Sequence, residues 1–208
     1  AKTDNTKKAK GISIVLCEDH RKGFQKGKNL KKIGMQAQDT SELFFHDVEL
    51  PLENILGQSG QGFGQLMDEL PQERLSIAVT AVAAAEAALN WTISYTKERA
   101  AFDTKIINFQ NTKFTLAKLK SELSVARAYI DRCILEHINN NFSAEDGAIA
   151  KLWCTELQFK VIDECLQLFG GYGYMQEYPI AKAFMDARVQ RIYGGTSEIM
   201  KEIISRNL

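Results

Sequence analysis

Proline is scarce in this 208-residue sequence, with three in all, and there are only three histidines and two tryptophans. So few prolines leave room for long, uninterrupted helices. The four cysteines, Cys17, Cys133, Cys154 and Cys165, form no CxxC pair. The spacing of a zinc cluster or a disulfide framework is therefore missing, and a reducing environment is the default. No apolar run approaches the roughly 18 residues of a membrane span, and no amino-terminal stretch joins a basic segment to an apolar one as a signal peptide does. Net charge is also absent, since 26 Lys and Arg balance 26 Asp and Glu. The balance is uneven: residues 1–32 hold ten Lys/Arg against three Asp/Glu, so that segment is +7 and the remainder −7. Its lysines lack interleaved aromatics apart from Phe24, which favours a solvated basic face over a nucleic-acid surface. With 45% hydrophobic residues, the chain is globular rather than disordered.

What is present divides near Gly57. Before it, Gly11-Ile-Ser-Ile-Val-Leu-Cys17 and Glu42-Leu-Phe-Phe-His-Asp-Val-Glu-Leu50 are rich in β-branched and aromatic residues and predict strands, the second stopped by Pro51. The lysine-rich Gly23 to Gly34 predicts a turn and an exposed strand. After the Gly57–Phe63 loop, alanine dominates, and its helix propensity predicts a helix over 64–98. Leu116, Leu119, Leu123, Ala126, Ile130, Cys133 and His137 recur every three or four residues on one face of a second helix. A third runs from Ser143, whose spacing to Asp146 resembles a capping box, to Phe169, with Ile149, Leu152, Phe159, Ile162, Leu166 and Phe169 as its apolar stripe. Gly170-Gly171 ends it. A helix over 179–190 and a short terminal one complete the reading. Long helices on short connections predict a mostly α, antiparallel bundle in residues 58–208, preceded by a partial β segment in 1–57 too small to be stable alone.

Three segments carry chemistry-bearing side chains. Leu70-Pro-Gln-Glu-Arg-Leu75 sets a carboxylate beside a guanidinium in an apolar helix, although an ordinary charged turn reads the same way. Gln167-Leu-Phe-Gly-Gly-Tyr-Gly-Tyr174 mixes glycine with aromatics, which lets backbone approach a flat or phosphate-bearing ligand and equally suits a helix end. Tyr193-Gly-Gly-Thr-Ser-Glu198 leads into a helix whose free N–H groups suit an anion or a polarised carbonyl.

With Arg99-Ala-Ala-Phe-Asp-Thr-Lys-Ile-Ile-Asn-Phe-Gln110, and in this order, the segments resemble the carboxy-terminal half of an acyl-CoA dehydrogenase, from about Gly11 onward. The family's usual catalytic glutamate falls at Gly194, and glycine cannot abstract a proton. Long-chain and isovaleryl members carry the base on the helix that begins here with Pro71-Gln72-Glu73-Arg74, so the resemblance assigns it to Glu73. That tetrapeptide, Tyr193-Gly-Gly-Thr196 and Lys32-Ile-Gly-Met-Gln-Ala-Gln-Asp-Thr40 are most similar to the long-chain members. Asp103 departs from the family, which usually has glycine there.

The resemblance implies FAD-dependent α,β-dehydrogenation of acyl-CoA to trans-2-enoyl-CoA in fatty-acid β-oxidation. Glu73 would be a desolvated base, and the Gly194 N–H, with a ribityl hydroxyl of the flavin, would hold the thioester oxygen. Pro71, Gln72, Arg74, Gly194 and Gly195 would border the substrate, Arg74 at the pocket mouth or in an exposed salt bridge. Arg99 and Gln110 would reach the FAD of a neighbouring subunit, as would Gln167, Leu168, Phe169, Gly170 and Gly171. Tyr193, Thr196, Ser197 and Glu198 would contact the flavin of their own site. A homo-oligomer follows, commonly a tetramer, with an electron-transfer flavoprotein as acceptor. The location would be the mitochondrial matrix in a eukaryote or the cytoplasm in a bacterium. An upstream half, helical domain plus the rest of the β domain, is expected. An acyl-CoA oxidase and a non-catalytic assembly protein of the same fold remain open alternatives.

Overall fold

The computed structural model describes residues 1–206 and 208. Two compact units divide the chain, Ala1–Leu70 and Pro71–Leu208.

In the first unit, β1 (Phe24–Asn29) and β2 (Ser41–Phe45) pair antiparallel, Phe24 opposite Phe45 and Lys26 opposite Leu43, with an irregularity before Asn29 pairs with Ser41. The expected strand at 11–17 is extended but forms no ladder. Ile12 bridges singly to Lys2 and to Gln61, and Val15 to Ile55, because each neighbour runs alongside for one residue and then turns away. The second expected strand is shorter than 42–50, since the chain leaves the hairpin after Phe45 and Asp47 takes a positive φ of 49°.

Most of the second unit is helical. The helix α1 (Gly62–Glu98) carries the division between the units within it, at Pro71, which removes one backbone donor from the helix. A two-residue hairpin, β3 (Ala100–Ala101) and β4 (Thr104–Lys105), leads to α2 (Gln110–Ile138), then α3 (Ala144–Phe169), α4 (Pro179–Ala187) and α5 (Ser197–Ser205). The core joins Ala78, Ala81, Val82, Ala85 and Leu89 of α1 to Leu119, Leu123 and Ile130 of α2 and Val161, Ile162 and Cys165 of α3. Ion pairs record that α2 and α3 run antiparallel: Lys118 meets Glu164 and, one turn on, Glu122 meets Lys160 one turn back. The Ser143–Asp146 capping box starts α3, both reciprocal bonds being formed. Gly147 lets α3 come close to α1, for a Cβ there would stand 3.1 Å from the Pro71 Cα.

The apolar stripe expected on α3 is only partly the buried one. Ile149 is 36% exposed and Leu152, Phe159 and Leu166 are half-buried, whereas Ala150, Lys151, Cys154, Thr155 and Gln158, outside the stripe, are buried. Because α3 packs against α2, α4 and α5 at once, small and polar residues fill the faces where backbones approach. Gln190, expected at the end of a helix over 179–190, lies instead in a 3-10 turn, Arg188–Arg191, that follows α4. By length and composition α1 is long and apolar enough to cross a membrane. Alanine carries that apolarity, and Ala78, Ala81, Ala85 and Ala88 of the helix are fully buried in the bundle core.

Candidate functional site

Tyr193–Thr196 is the turn between the 3-10 segment and α5, and two successive glycines give it its shape. Gly194 and Gly195 have φ of +64° and +102°, where a side chain is strained. Thr196 caps α5, its hydroxyl accepting from the Ile199 N–H. Ser197 is buried and donates to Glu156 at 2.8 Å, and the other Glu156 oxygen holds Arg191 at 2.8 Å. Glu198 is exposed in the first turn of α5, and hydrogen bonds with backbone and with Thr196 hold its carboxyl below the usual range. The Tyr193 hydroxyl donates to Gln190 at 2.6 Å, and partial burial raises its pKa.

One face of α1 meets this turn. Arg74 is only 6% exposed and its Nε donates to the Gly194 carbonyl at 3.3 Å. Burial pushes its pKa down, an effect the neighbouring Glu73 carboxylate opposes. Among the described residues the exposed salt bridge considered for Arg74 does not form, because the side chain is buried and bonded to a backbone carbonyl. A Cβ at Gly194 would lie 2.6 Å from the Ile77 Cδ1, and Ile77 follows Glu73 by one helical turn. The face of α1 that carries Ile77 and, one turn before it, Glu73 therefore shares one neighbourhood with the Gly194 turn. Glu73 and Gln72 are exposed, and Pro71 is half-buried against Gly147. The described residues leave Glu73 in solvent.

Lys151 of α3 completes the neighbourhood. It is fully buried, and its Nζ donates to the Gly195 carbonyl at 2.6 Å. Burial and the positive charge of Arg74 both lower its pKa. Sequence reasoning missed it, since a lysine in a helix is ordinarily a solvent residue.

A second cluster forms at the far end of α3. Arg99, Gln167, Leu168, Phe169, Gly170, Gly171 and Tyr172 line a groove of about 640 Å³ with Tyr95, Ile106 and Met175. The Arg99 guanidinium lies 5.6 Å from the Tyr172 ring centroid. Phe169 is buried, its ring stacked on Tyr95 at 4.2 Å and its carbonyl accepting from the Tyr95 hydroxyl at 3.2 Å, so it borders the groove through its backbone. A Cβ at Gly170 or Gly171 would meet nothing within 4 Å. Gly170 needs its freedom for a φ of 59°, but nothing in the chain's own packing demands glycine at 171. A cation, an amide and bare backbone around an open groove fit a phosphate-bearing, flat cofactor. Gln110 starts α2, is exposed and does not line the groove.

A family model described as "Acyl-CoA dehydrogenase, C-terminal domain" matches residues 60–208. The chain is 51% identical over 200 residues to a mitochondrial long-chain specific acyl-CoA dehydrogenase of Mus musculus, covering 96% of this chain and 46% of that protein. Identity to a short-chain specific acyl-CoA dehydrogenase of Megasphaera elsdenii is 38% over 199 residues, covering 96% and 52%. The crystal structure of an acyl-CoA dehydrogenase from Geobacillus kaustophilus superposes with a TM-score of 0.96 at 43% identity, covering 99% of this chain and 55% of that one. The chain thus spans about half the length of the proteins it matches.

Proposed function

This chain belongs to the acyl-CoA dehydrogenase family, and on that premise we propose that the protein it comes from oxidises saturated acyl-CoA thioesters to trans-2-enoyl-CoA with FAD. The observation that carries the reading is the meeting of the Glu73 face of α1 with the Gly194-Gly195 turn, through the Arg74 bond to the Gly194 carbonyl and the Ile77 contact. On this reading a base and a set of backbone donors flank one place, which is what removal of a proton next to a thioester requires.

FAD, when bound, supplies the acceptor for the β-hydride. The chain's own residues do the rest. Glu73 takes the α-proton onto a carboxylate oxygen. The Gly194 N–H donates to the thioester oxygen, where negative charge develops as that proton leaves. Tyr193 walls the site, and Thr196, Ser197 and Glu198 border it at the start of α5. Pro71 and Gln72 flank the base on α1. Arg99, Gln167 and the open backbone of Gly170–Gly171 hold the diphosphate end of a cofactor. That groove shares no residue with the Glu73 cluster, which supports the reading that it serves the FAD of a neighbouring subunit, with Gln110 beside it, in a homo-oligomer such as a tetramer.

Long-chain substrates are the favoured class, supported by 51% identity to the long-chain enzyme against 38% to the short-chain one. An electron-transfer flavoprotein is the proposed acceptor. The proposed location is the mitochondrial matrix in a eukaryotic source or the cytoplasm in a bacterial one. The test is made on the full-length protein. It is expected to purify with, or reconstitute with, FAD and to convert acyl-CoA to the enoyl product. Because each buried methylene is worth about 0.8 kcal/mol, kcat/KM should rise steadily from octanoyl to tetradecanoyl substrates. Failure to take up FAD overturns the reading. A maximum at butyryl- or isovaleryl-CoA overturns the long-chain assignment alone.

A further inference from the structure

Buried lysines ordinarily find a carboxylate. Lys151 has none at ion-pair distance among the described residues, and its hydrogen bond goes to the Gly195 carbonyl at 2.6 Å. Arg74, from another helix, binds the preceding carbonyl, that of Gly194, at 3.3 Å. Two buried cations from α1 and α3 thus take two successive carbonyls of one turn. The positive φ at Gly194 and Gly195 makes that presentation possible. The N–H groups of those two peptides are those of Gly195 and Thr196, and among the described residues neither they nor the Gly194 N–H enters a backbone hydrogen bond. Other charged groups around Lys151 do little to cancel it. Arg74 adds positive charge, Glu156 is engaged with Arg191 and Ser197, and Glu198 is exposed at the start of α5.

A peptide whose carbonyl is held by a cation is fixed in orientation and is a stronger donor through its own N–H. Three N–H groups without a backbone partner among the described residues, in a turn whose carbonyls two cations hold, suit an oxyanion. We propose that Lys151 is a positioning residue for the thioester site. By holding the Gly195 carbonyl, it polarises the Thr196 N–H of the same peptide and fixes the turn that presents the Gly194 N–H to the oxygen that gains charge when the α-carbon loses its proton. The electron pair of that C–H bond moves into the thioester carbonyl as the proton passes to Glu73. This inference rests on the functional reading given above and adds to it a residue that touches neither substrate nor cofactor.

The test uses full-length holoenzyme carrying Lys151→Met, which keeps side-chain length and removes donor and charge. Flavin reduction by a saturated acyl-CoA should slow by about tenfold or more, while substrate Kd and FAD content stay near wild type. A structural role alone would not move the second readout, the infrared carbonyl stretch of carbonyl-labelled acyl-CoA bound in the Glu73→Gln background, where turnover is blocked. With Lys151 present, the band should lie below its position in water, and with Lys151→Met it should move back toward that position. Lys151→Arg should restore most of both effects. If Lys151→Met does not fold, Lys151→Gln, a donor without charge, should give intermediate values. A folded, flavin-loaded variant lacking Lys151, with wild-type reduction and an unshifted band, overturns the inference and leaves the functional reading intact. A wild-type holoenzyme that no acyl-CoA reduces overturns both.

Discussion

At the scale of single residues, the site depends on two cations whose charge is spent inside the protein. Burial, aided by the positive charge of Arg74, lowers the Lys151 pKa below the ordinary lysine value of 10.5. Between that lowered value and the unfolded one, the unfolded chain binds more protons, so the lysine's destabilising effect fades as pH rises through the window. The unfolding free energy of wild type relative to Lys151→Met should therefore increase with pH on approach to 10.5 and be flat well below the window, measured by denaturant titration. A difference that falls with pH would contradict the assignment. Glu73 and Gly194 were legible in sequence because they stand in motifs, one gaining a carboxylate and the other lacking it. Lys151 was not, because its neighbours Ala150 and Leu152 say only that the helix is apolar, and the expected stripe put Ile149 rather than Lys151 inside.

Elements carry their own tests. In the β3–β4 hairpin, Phe102 and Asp103 both have positive φ, 53° and 60°. This is the two-residue turn that favours glycine, and Asp103 tolerates it at a cost. Asp103→Gly should raise stability by up to about 1 kcal/mol, seen as a higher midpoint in denaturant, and a lower midpoint would show that the Asp103 side chain holds the turn. Ser143→Ala removes the α3 capping box and should cost about 1 kcal/mol by the same measurement, with no change in FAD content. The helices were readable because alanine content and three-four spacing are local signals. The six apolar positions expected on one face of α2, Leu116, Leu119, Leu123, Ala126, Ile130 and Cys133, are buried as their spacing predicts. The stretch 11–17 was misread as a ladder strand because β composition reports an extended, half-buried backbone, whereas a ladder needs a neighbour that stays alongside.

On the scale of the whole molecule, this chain brings to the proposed site a carboxylate, a turn whose N–H groups have no backbone partner among the described residues and an open groove, and Glu73 still stands exposed on it. If Glu73 is the base proposed above, the rest of the protein is expected to cover that carboxylate so that its basicity matches an α-proton. The assembled enzyme is expected to sediment as an oligomer, with Arg99→Ala weakening FAD retention through the groove. The central claim, that the base sits on α1 and not in the Gly194 turn, is tested most directly by anaerobic rapid mixing of full-length wild-type and Glu73→Gln holoenzymes with a long-chain saturated acyl-CoA, following loss of oxidised-flavin absorbance. The account predicts reduction of the wild type within one turnover and, at unchanged FAD content, slowing of Glu73→Gln by on the order of a hundredfold or more. Reduction of Glu73→Gln at the wild-type rate would contradict it.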